Sequence, residues 1–524
     1  MPTSARTRSS WAGQHGGPGP ASGATAPTGS SAIYRPRRPT ATPLYPVVQH
    51  HLETFLATAA EEDPLGDSPP AWVERDFRAY LKCGILAHGF ARIRCGDCGH
   101  ERFLAFSCKG RGICPSCNAR RMAEVAAHLT DQVFPWLPVR QWVLSVPKRL
   151  RPYLHYKPEV ATGVLHVFLR AIRSTLRTTS PGAPGSVQDV KLGAVSFLHR
   201  FGATLNAHFH FHVLVLDGVF CEDGHGQVQF HEAACLQPRD WERLQVTVQH
   251  RVLRYFRRHG LLDEEVTEDM LTWQATGGFS IDASVRIEGS DRYGLERLAR
   301  YCARPPFALE RLHAPDGQPS LRTPNGRLIY RLPGPTPDGR TLLVLSPLEL
   351  LQRLARFVPP PRMHRHRYHG VLAPNAKWRA RVTALGRREP DEPASQHPDV
   401  PPHPADSQAP LATPPNHTLS TPRSGRIRWA QLLARIYELL PLLCPSCGGE
   451  MRIISFLTNP PTVQTILRHL DLPHRRPPLA PARAPPQVEL TSDQTPDANL
   501  AGPEPVPDFV FDQSLPDEFD EVED

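Results

Sequence analysis

The stretch Asn206-Ala-His208-Phe-His210-Phe-His212-Val-Leu-Val-Leu-Asp217-Gly218 decides how this chain is read. Histidine and phenylalanine alternate strictly from His208 to His212, the pattern of a half-buried β-strand. Residues two apart in a strand share a face. His208, His210 and His212 therefore project together, while Phe209 and Phe211 pack on the other side. Neutral imidazole is the commonest metal ligand among side chains, and two or three converging from one strand can hold a divalent ion. A polar sheet face with histidines by chance is the plain alternative. Asp217-Gly218 reads as a turn at the strand end.

Working outward, Gly193–Phe201 reads as the preceding strand, and Arg140–Val146 as a buried strand stopped by Pro147. Pro158–Arg177 is an amphipathic helix with Val164, Phe168, Ile172 and Leu176 on one stripe. Further helices are expected at 44–90, Met122–Phe134, 239–259, Asp291–Ala303 and Ser346–Phe357. A strand pair is expected around Ser280–Gly289, and a hairpin at 326–345 that turns near Pro337-Asp-Gly339. Strands and helices mixed in this order predict an α+β fold with a mostly antiparallel central sheet and flanking helices.

The chain has 524 residues, enough for two or three domains, and its 58 prolines cluster in linkers and tails. Residues 1–43 are expected to be a disordered basic arm without the apolar core of a signal peptide. Residues 44–134 are expected to form a cysteine-rich domain with flanking helices, 135–385 the large α+β domain and 386–424 a Pro-rich linker. A small helical element around a Cys-x-x-Cys pair occupies 425–474, and 475–524 is an acidic disordered tail. No apolar run is long enough to span a membrane, and paired Cys-x-x-Cys units without a secretory signal are expected in a reducing compartment, the cytoplasm. The net charge of +8 hides a split: Ala484–Asp524 holds twelve Asp and Glu and no Lys or Arg, so the rest carries +20. A basic body suits a polyanion such as nucleic acid.

Six of the eleven cysteines lie between Cys83 and Cys117. Cys95-Gly-Asp-Cys98 and Cys114-Pro-Ser-Cys117 are two pairs with fifteen residues between them. Cys95, Cys98, Cys114 and Cys117 are thus expected to hold one structural Zn2+ in a tetrahedral thiolate site. Cys83 and Cys108 are read as alternative ligands or buried thiols. Cys444-Pro-Ser-Cys447 is half a site that needs a distant cysteine or histidine. Lys109, Arg111, Arg120 and Arg121 make the zinc module basic and suited to phosphate contact. Arg365 and Arg367 lie in a second basic stretch, 362–369, which with Tyr368 and Trp378 nearby could clasp single-stranded DNA by charge and stacking; a solvated basic loop is the plain alternative.

Arg297-Leu-Ala-Arg300-Tyr301-Cys-Ala-Arg304-Pro-Pro sets a tyrosine between arginines at a helix end. A phenol is a phosphoryl nucleophile when cations and a metal stabilise developing charge, and Arg300 and Arg304 are i, i+4 neighbours able to grip a DNA backbone.

Together these motifs resemble the HUH-type rolling-circle transposases of bacterial insertion sequences, closest to the branch of common-region (ISCR) elements with an N-terminal transposase zinc-binding domain. The matching segments are Ser107–Cys117, His199-Arg-Phe-Gly202 with His210-Phe-His212, Leu298–Pro306, Tyr368-His-Gly-Val-Leu-Ala-Pro-Asn375 and Trp429–Leu472. The resemblance implies an HUH-endonuclease-like central sheet and an enzyme that nicks and rejoins single-stranded DNA at element ends. His210 and His212 would bind catalytic Mg2+ or Mn2+, with His199 as third ligand, and Tyr301 would form a 5′-phosphotyrosine. The protein would associate with the bacterial nucleoid when bound to DNA. One helical turn before Tyr301 stands Arg297, and Tyr293 lies two turns away, ~12 Å along the axis, so a one-tyrosine mechanism is implied. Replication initiators and relaxases share this chemistry. A non-catalytic zinc DNA-binding protein is the reading from another class.

Overall fold

The computed structural model describes residues 37–62, 69–234, 236–273, 277–336, 338–386 and 444–483. Most of the expected N-terminal arm, nearly all of the Pro-rich linker, the helix before Cys444, Pro337 of the hairpin turn and the acidic tail from Ala484 lie outside the described residues.

The helices are α1 (Leu44–Glu62), α2 (Ala71–Tyr80), α3 (Pro115–His128), α4 (Arg151–Tyr156), α5 (Pro158–Thr179), α6 (Pro238–Arg258), α7 (Glu264–Thr272), α8 (Arg292–Ala303), α9 (Gly317–Ser320), α10 (Pro347–Ala355), α11 (Arg379–Ala384) and α12 (Pro460–His469). The strands are β1 (Phe90–Cys95), β2 (Glu101–Ala105), β3 (Val139–Ser145), β4 (Gly193–Phe201), β5 (Ala207–Leu216), β6 (Gly218–Glu222), β7 (Val228–Glu232), β8 (Ser280–Asp282), β9 (Arg286–Ile287), β10 (Leu312–His313), β11 (Leu328–Arg331), β12 (Leu342–Leu345), β13 (His366–Gly370) and β14 (Met451–Leu457).

The fold is α+β and its sheets are antiparallel. The largest sheet runs β13-β4-β5-β3-β8, with β9 also paired to β3. Its centre is β5, whose alternation works as the pleat requires. Phe209, Phe211, Val213 and Val215 face a core shared with Val164, Phe168 and Ile172 of α5 and Val248, Val252 and Phe256 of α6. Each buried phenylalanine contributes roughly 1.5–3 kcal/mol. Leu214 and Leu216, in step with the histidines, face a second core with Leu295, Leu298, Ala299 and Cys302 of α8 and Ala126 of α3. The sheet is therefore covered on both sides, and the histidine stripe lies under the tyrosine helix.

Asp217 is more than a turn former. It is fully buried and accepts Arg140 Nε at 2.8 Å, Arg140 Nη2 at 2.8 Å and Arg286 Nε at 2.7 Å. This ion cluster clamps the end of β5 to β3 and β9, and β6 begins immediately after it at Gly218.

Two further expectations are corrected. Within residues 362–369, His366–His369 are strand rather than loop: β13 pairs with β4, Tyr368 opposite Val195, and forms the edge of the sheet. Gly370 ends that strand at φ +59°, where a Cβ would collide with the Leu192 carbonyl. After Cys447 the chain forms β14 before helix α12, and β14 pairs with β1, giving a small sheet β14-β1-β2. The β-branched pair Ile453 and Ile454 favours strand over helix there. Helix α7 was not anticipated at all. A third core joins α1 and α2 to β10–β12, α10, Phe201 and Cys114.

Candidate catalytic and metal sites

β4 and β5 bring His199 and His210 directly opposite each other. His199, His210 and His212 are buried, and one ligand nitrogen from each lies within 4.8 Å of the others. The ring centroids are 4.4 Å apart for His199–His212 and 5.0 Å for both His199–His210 and His210–His212. His208 meets His210 edge to face, with ring centroids 5.0 Å apart, but is not part of the three-ligand group.

Hydrogen bonds select which nitrogen each ring offers. His199 Nε2–H donates to the Cys302 carbonyl at 2.7 Å, which leaves the Nδ1 lone pair for the cluster. His210 Nδ1–H faces the His208 carbonyl at 3.3 Å. Gln141 on β3 places its amide nitrogen Nε2 2.8 Å from His212 Nδ1. The two ends of a carboxamide exchange by a half-turn. With oxygen toward Nδ1 the amide accepts the ring N–H, and Nε2 is free to bind. His199 Nδ1 and His212 Nε2 are buried without a hydrogen-bond partner among the described residues.

Burial first, and the Arg304 cation second, push His199 down to about 3. Burial and the neighbouring imidazoles likewise hold His210 and His212 well below their ordinary range. All three are neutral near pH 7, as metal ligation requires. Buried neutral donors with orphaned nitrogens fit a divalent cation.

Tyr301 is half-buried beside this cluster, its ring edge-to-face with His212 at 5.5 Å. The Arg304 guanidinium lies 4.3 Å from the centroid of the Tyr301 ring. Arg300 forms an ion pair with Glu296 at 2.8 Å. The adjacent Cys302 is fully enclosed, and burial pushes its thiol well above the usual range, so it is no nucleophile.

The cysteines depart from the expected set. The structure does not bring Cys95, Cys98, Cys114 and Cys117 together; it divides them between two clusters. Cys114 and Cys117 join Cys83 and Cys108, with Sγ–Sγ distances of 3.5–3.7 Å. Cys95 and Cys98 join Cys444 and Cys447. The reason is local geometry. Cys114 caps α3 with Pro115 at its first position, so this pair belongs to a helix start rather than to a hairpin knuckle. Asp76 of α2 accepts the backbone N–H of Gly112 at 3.1 Å and Ile113 at 2.7 Å, which draws the Cys114 loop toward Cys83. Four unbonded thiols fit structural zinc.

The basic residues fall into distinct settings. Lys109 is exposed, and its carbonyl accepts Arg121 Nη2 at 3.2 Å. Arg120 pairs with Glu124 at 2.8 Å, and Arg111 donates to the Met363 carbonyl. Arg365 donates to the Arg111 carbonyl and to Asn118 Oδ1, both at 3.1 Å. Burial, with Arg121 and Arg111 close by, holds its guanidinium down to about 10. Arg367 donates to Thr162 Oγ1 at 2.8 Å. Arg365 and Arg367 thus tie β13 to the zinc module and to α5. Among the described residues no helix is long and apolar enough to cross a membrane.

Residues 193–379, which hold the histidines and Tyr301, match the family described as "Putative transposase". Residues 47–146 match the family described as "Transposase zinc-binding domain". The class is therefore a transposase with an N-terminal zinc-binding domain. Within that class the chain is IS91-like. It is 24% identical over 396 residues to "Putative transposase y4qJ" of Sinorhizobium fredii (strain NBRC 101917 / NGR234), covering 72% of this chain and 89% of that protein. It is also 24% identical over 306 residues to the transposase for insertion sequence element IS801 of Pseudomonas savastanoi pv. phaseolicola, covering 56% and 68%. No solved structure matches the chain.

Proposed function

We propose that this transposase nicks and rejoins single-stranded DNA at the ends of an insertion sequence, moving it by a rolling-circle-like route through a 5′-phosphotyrosine on Tyr301. The observation that carries the reading is the Tyr301 ring set against His212 of the buried three-histidine cluster. His199, His210 and His212 would hold the divalent cation. Of Mg2+ and Mn2+, an all-imidazole donor set favours Mn2+, because Mg2+ seeks hard oxygen ligands. When bound, such an ion polarises the scissile phosphate.

Tyr301 Oη attacks phosphorus as the bond from phosphorus to the 3′ oxygen breaks. The phenol gives up its proton, and the leaving 3′ oxygen takes one up to become a hydroxyl. The new tyrosyl ester conserves the phosphodiester energy, so rejoining is the reverse attack by a 3′-hydroxyl and needs no nucleotide cofactor. Arg304, over the ring, stabilises negative charge on the phenolate and phosphate. Lys109, Arg111, Arg120 and Arg121 give the zinc module its affinity for the DNA backbone. The limits 44–134 and 135–385 separate DNA-end binding from chemistry in this reading, although the α1–α2 core is shared with residues 307–358.

The test uses single-stranded oligonucleotides from the flanks of the gene, labelled at the 3′ end, with the full chain and Mn2+ or Mg2+. A labelled protein–DNA adduct on a denaturing gel is expected, lost in Tyr301→Phe and His210→Ala. Binding without any adduct across both metals would leave a non-catalytic DNA-binding protein.

A further inference from the structure

The matched zinc-binding family ends at residue 146, and the Cys83-Cys108-Cys114-Cys117 cluster lies wholly inside it. The second cluster does not. Cys95 and Cys98 come from the β1–β2 turn, whereas Cys444 and Cys447 lie beyond both matched segments.

The two pairs are built alike. In Cys95-Gly-Asp-Cys98-Gly99 the Cys95 N–H donates to the His100 carbonyl at 2.8 Å; in Cys444-Pro-Ser-Cys447-Gly448 the Cys444 N–H donates to the Gly449 carbonyl at 2.8 Å. Both bonds span five residues. Gly99 and Gly448 both adopt φ +74°, the left-handed turn that glycine takes without strain. Twin knuckles of this kind turn their sulfurs to one point. Cys95 Sγ lies 3.5 Å from Cys447 Sγ, and Cys98 Sγ lies 3.4 Å from Cys444 Sγ. All four sulfurs fall within 4.8 Å of one another. A tetrahedron with Zn–S of about 2.3 Å has edges of about 3.8 Å. The cysteines are free thiols, too far apart for disulfides.

The apolar support nearby is small. The fully buried members are Ala87, Phe90, Val463 and Leu467 in one cluster and Ile93, Cys95, Cys444 and Met451 in the other; Leu457, Ile466, Leu472 and Ile453 add only partly buried surface, and Ile454 and Phe456 of β14 are exposed. Cores of this size do not hold a strand and helix in place by burial alone.

We propose that Cys95, Cys98, Cys444 and Cys447 form a second structural zinc site that closes the chain, pinning β14 and α12 to the N-terminal zinc module. This site is independent of the chemistry assigned to Tyr301. It makes the N-terminal module a two-part structure, completed only when residues 444–472 have been synthesised and metallated.

The test is zinc content by mass spectrometry on the full chain, with hydrogen exchange of β14 amides. Two zinc ions per wild-type chain are expected. Cys444→Ser/Cys447→Ser should hold one and lose β14 protection by 100-fold or more, with β5 amides unchanged. Cys447→His, which keeps a zinc ligand, should retain both ions and the protection. One zinc ion in the wild type, or a double serine variant with unchanged zinc content and β14 protection, would overturn the proposal. If the double serine variant does not fold, the wild-type count and Cys447→His decide.

Discussion

The rings of His212 and Tyr301 meet edge to face, with centroids 5.5 Å apart and planes at 83°. The contact joins β5 to α8, and it exists because the sheet face that carries the histidines is also the face that buries Leu295, Leu298 and Cys302. Packing therefore sets the distance between the candidate nucleophile and the candidate metal site.

Gln141 is the positioning residue for His212. Losing its carboxamide removes the group that fixes the ring tautomer, and outer-shell changes of this kind cost 10–100-fold in metal affinity. Gln141→Leu should weaken Mn2+ binding by about that factor in calorimetry. Gln141→Glu, which still accepts the ring N–H, should bind as tightly as wild type or better. Equal loss in both variants would point to a merely structural role.

Arg304 and Arg300 should separate. Arg304 stacks on Tyr301, whereas Arg300 is committed to Glu296. Arg304→Ala should slow adduct formation by roughly 10²-fold, in the range of removing one charge-stabilising donor, with little change in DNA binding. Arg300→Ala should leave the rate within a few-fold. The reverse order in a single-turnover assay would reassign the cation.

Asp217 is a stability residue. Replacing it leaves Arg140 enclosed without its counter-ion, and breaking a buried pair costs about 3–5 kcal/mol. Asp217→Ala should lower the urea midpoint accordingly. A change under about 1 kcal/mol would mean that solvent reaches this cluster.

Stability should fall in mild acid. Burial pushes His155, His366 and His369 each down to about 4 from 6.5. Between those values the unfolded chain binds more protons than the folded one, so stability rises with pH. The contribution is full above pH 6.5 and is lost progressively toward pH 4, by at most about 1.4 kcal/mol per unit for each histidine. Urea midpoints measured at pH 7.5, 6.5 and 5.5 should decline over the last step. A flat profile would contradict this burial.

Period-2 and period-3.6 patterns revealed β4, β5, α5 and α8, because each buries one continuous face. They assigned His199, His210 and His212 to two strands and Tyr301 to a helix, but periodicity does not say that this helix lies against those strands; only the family resemblance implied it. The partner choice of the cysteines was not legible. Nearness in sequence favoured Cys95/Cys98 with Cys114/Cys117, yet hairpin knuckles and a helix start present their sulfurs differently. The glycine after each knuckle, Gly99 and Gly448, was the available signal; Asn118 stands in that place after Cys117. Gln141 was hidden in a strand otherwise read as apolar. The pairing of β13 was hidden because its basic residues suggest solvent, while their hydrogen bonds reach Asn118, Thr162 and main-chain carbonyls across the fold.

The most direct measurement digests the protein–DNA adduct with trypsin and nuclease and locates the nucleotide by tandem mass spectrometry. The account predicts a nucleotide 5′-phosphate on Tyr301, and on no other residue. Attachment to Tyr293 or Tyr368, or to a serine or histidine, would contradict it.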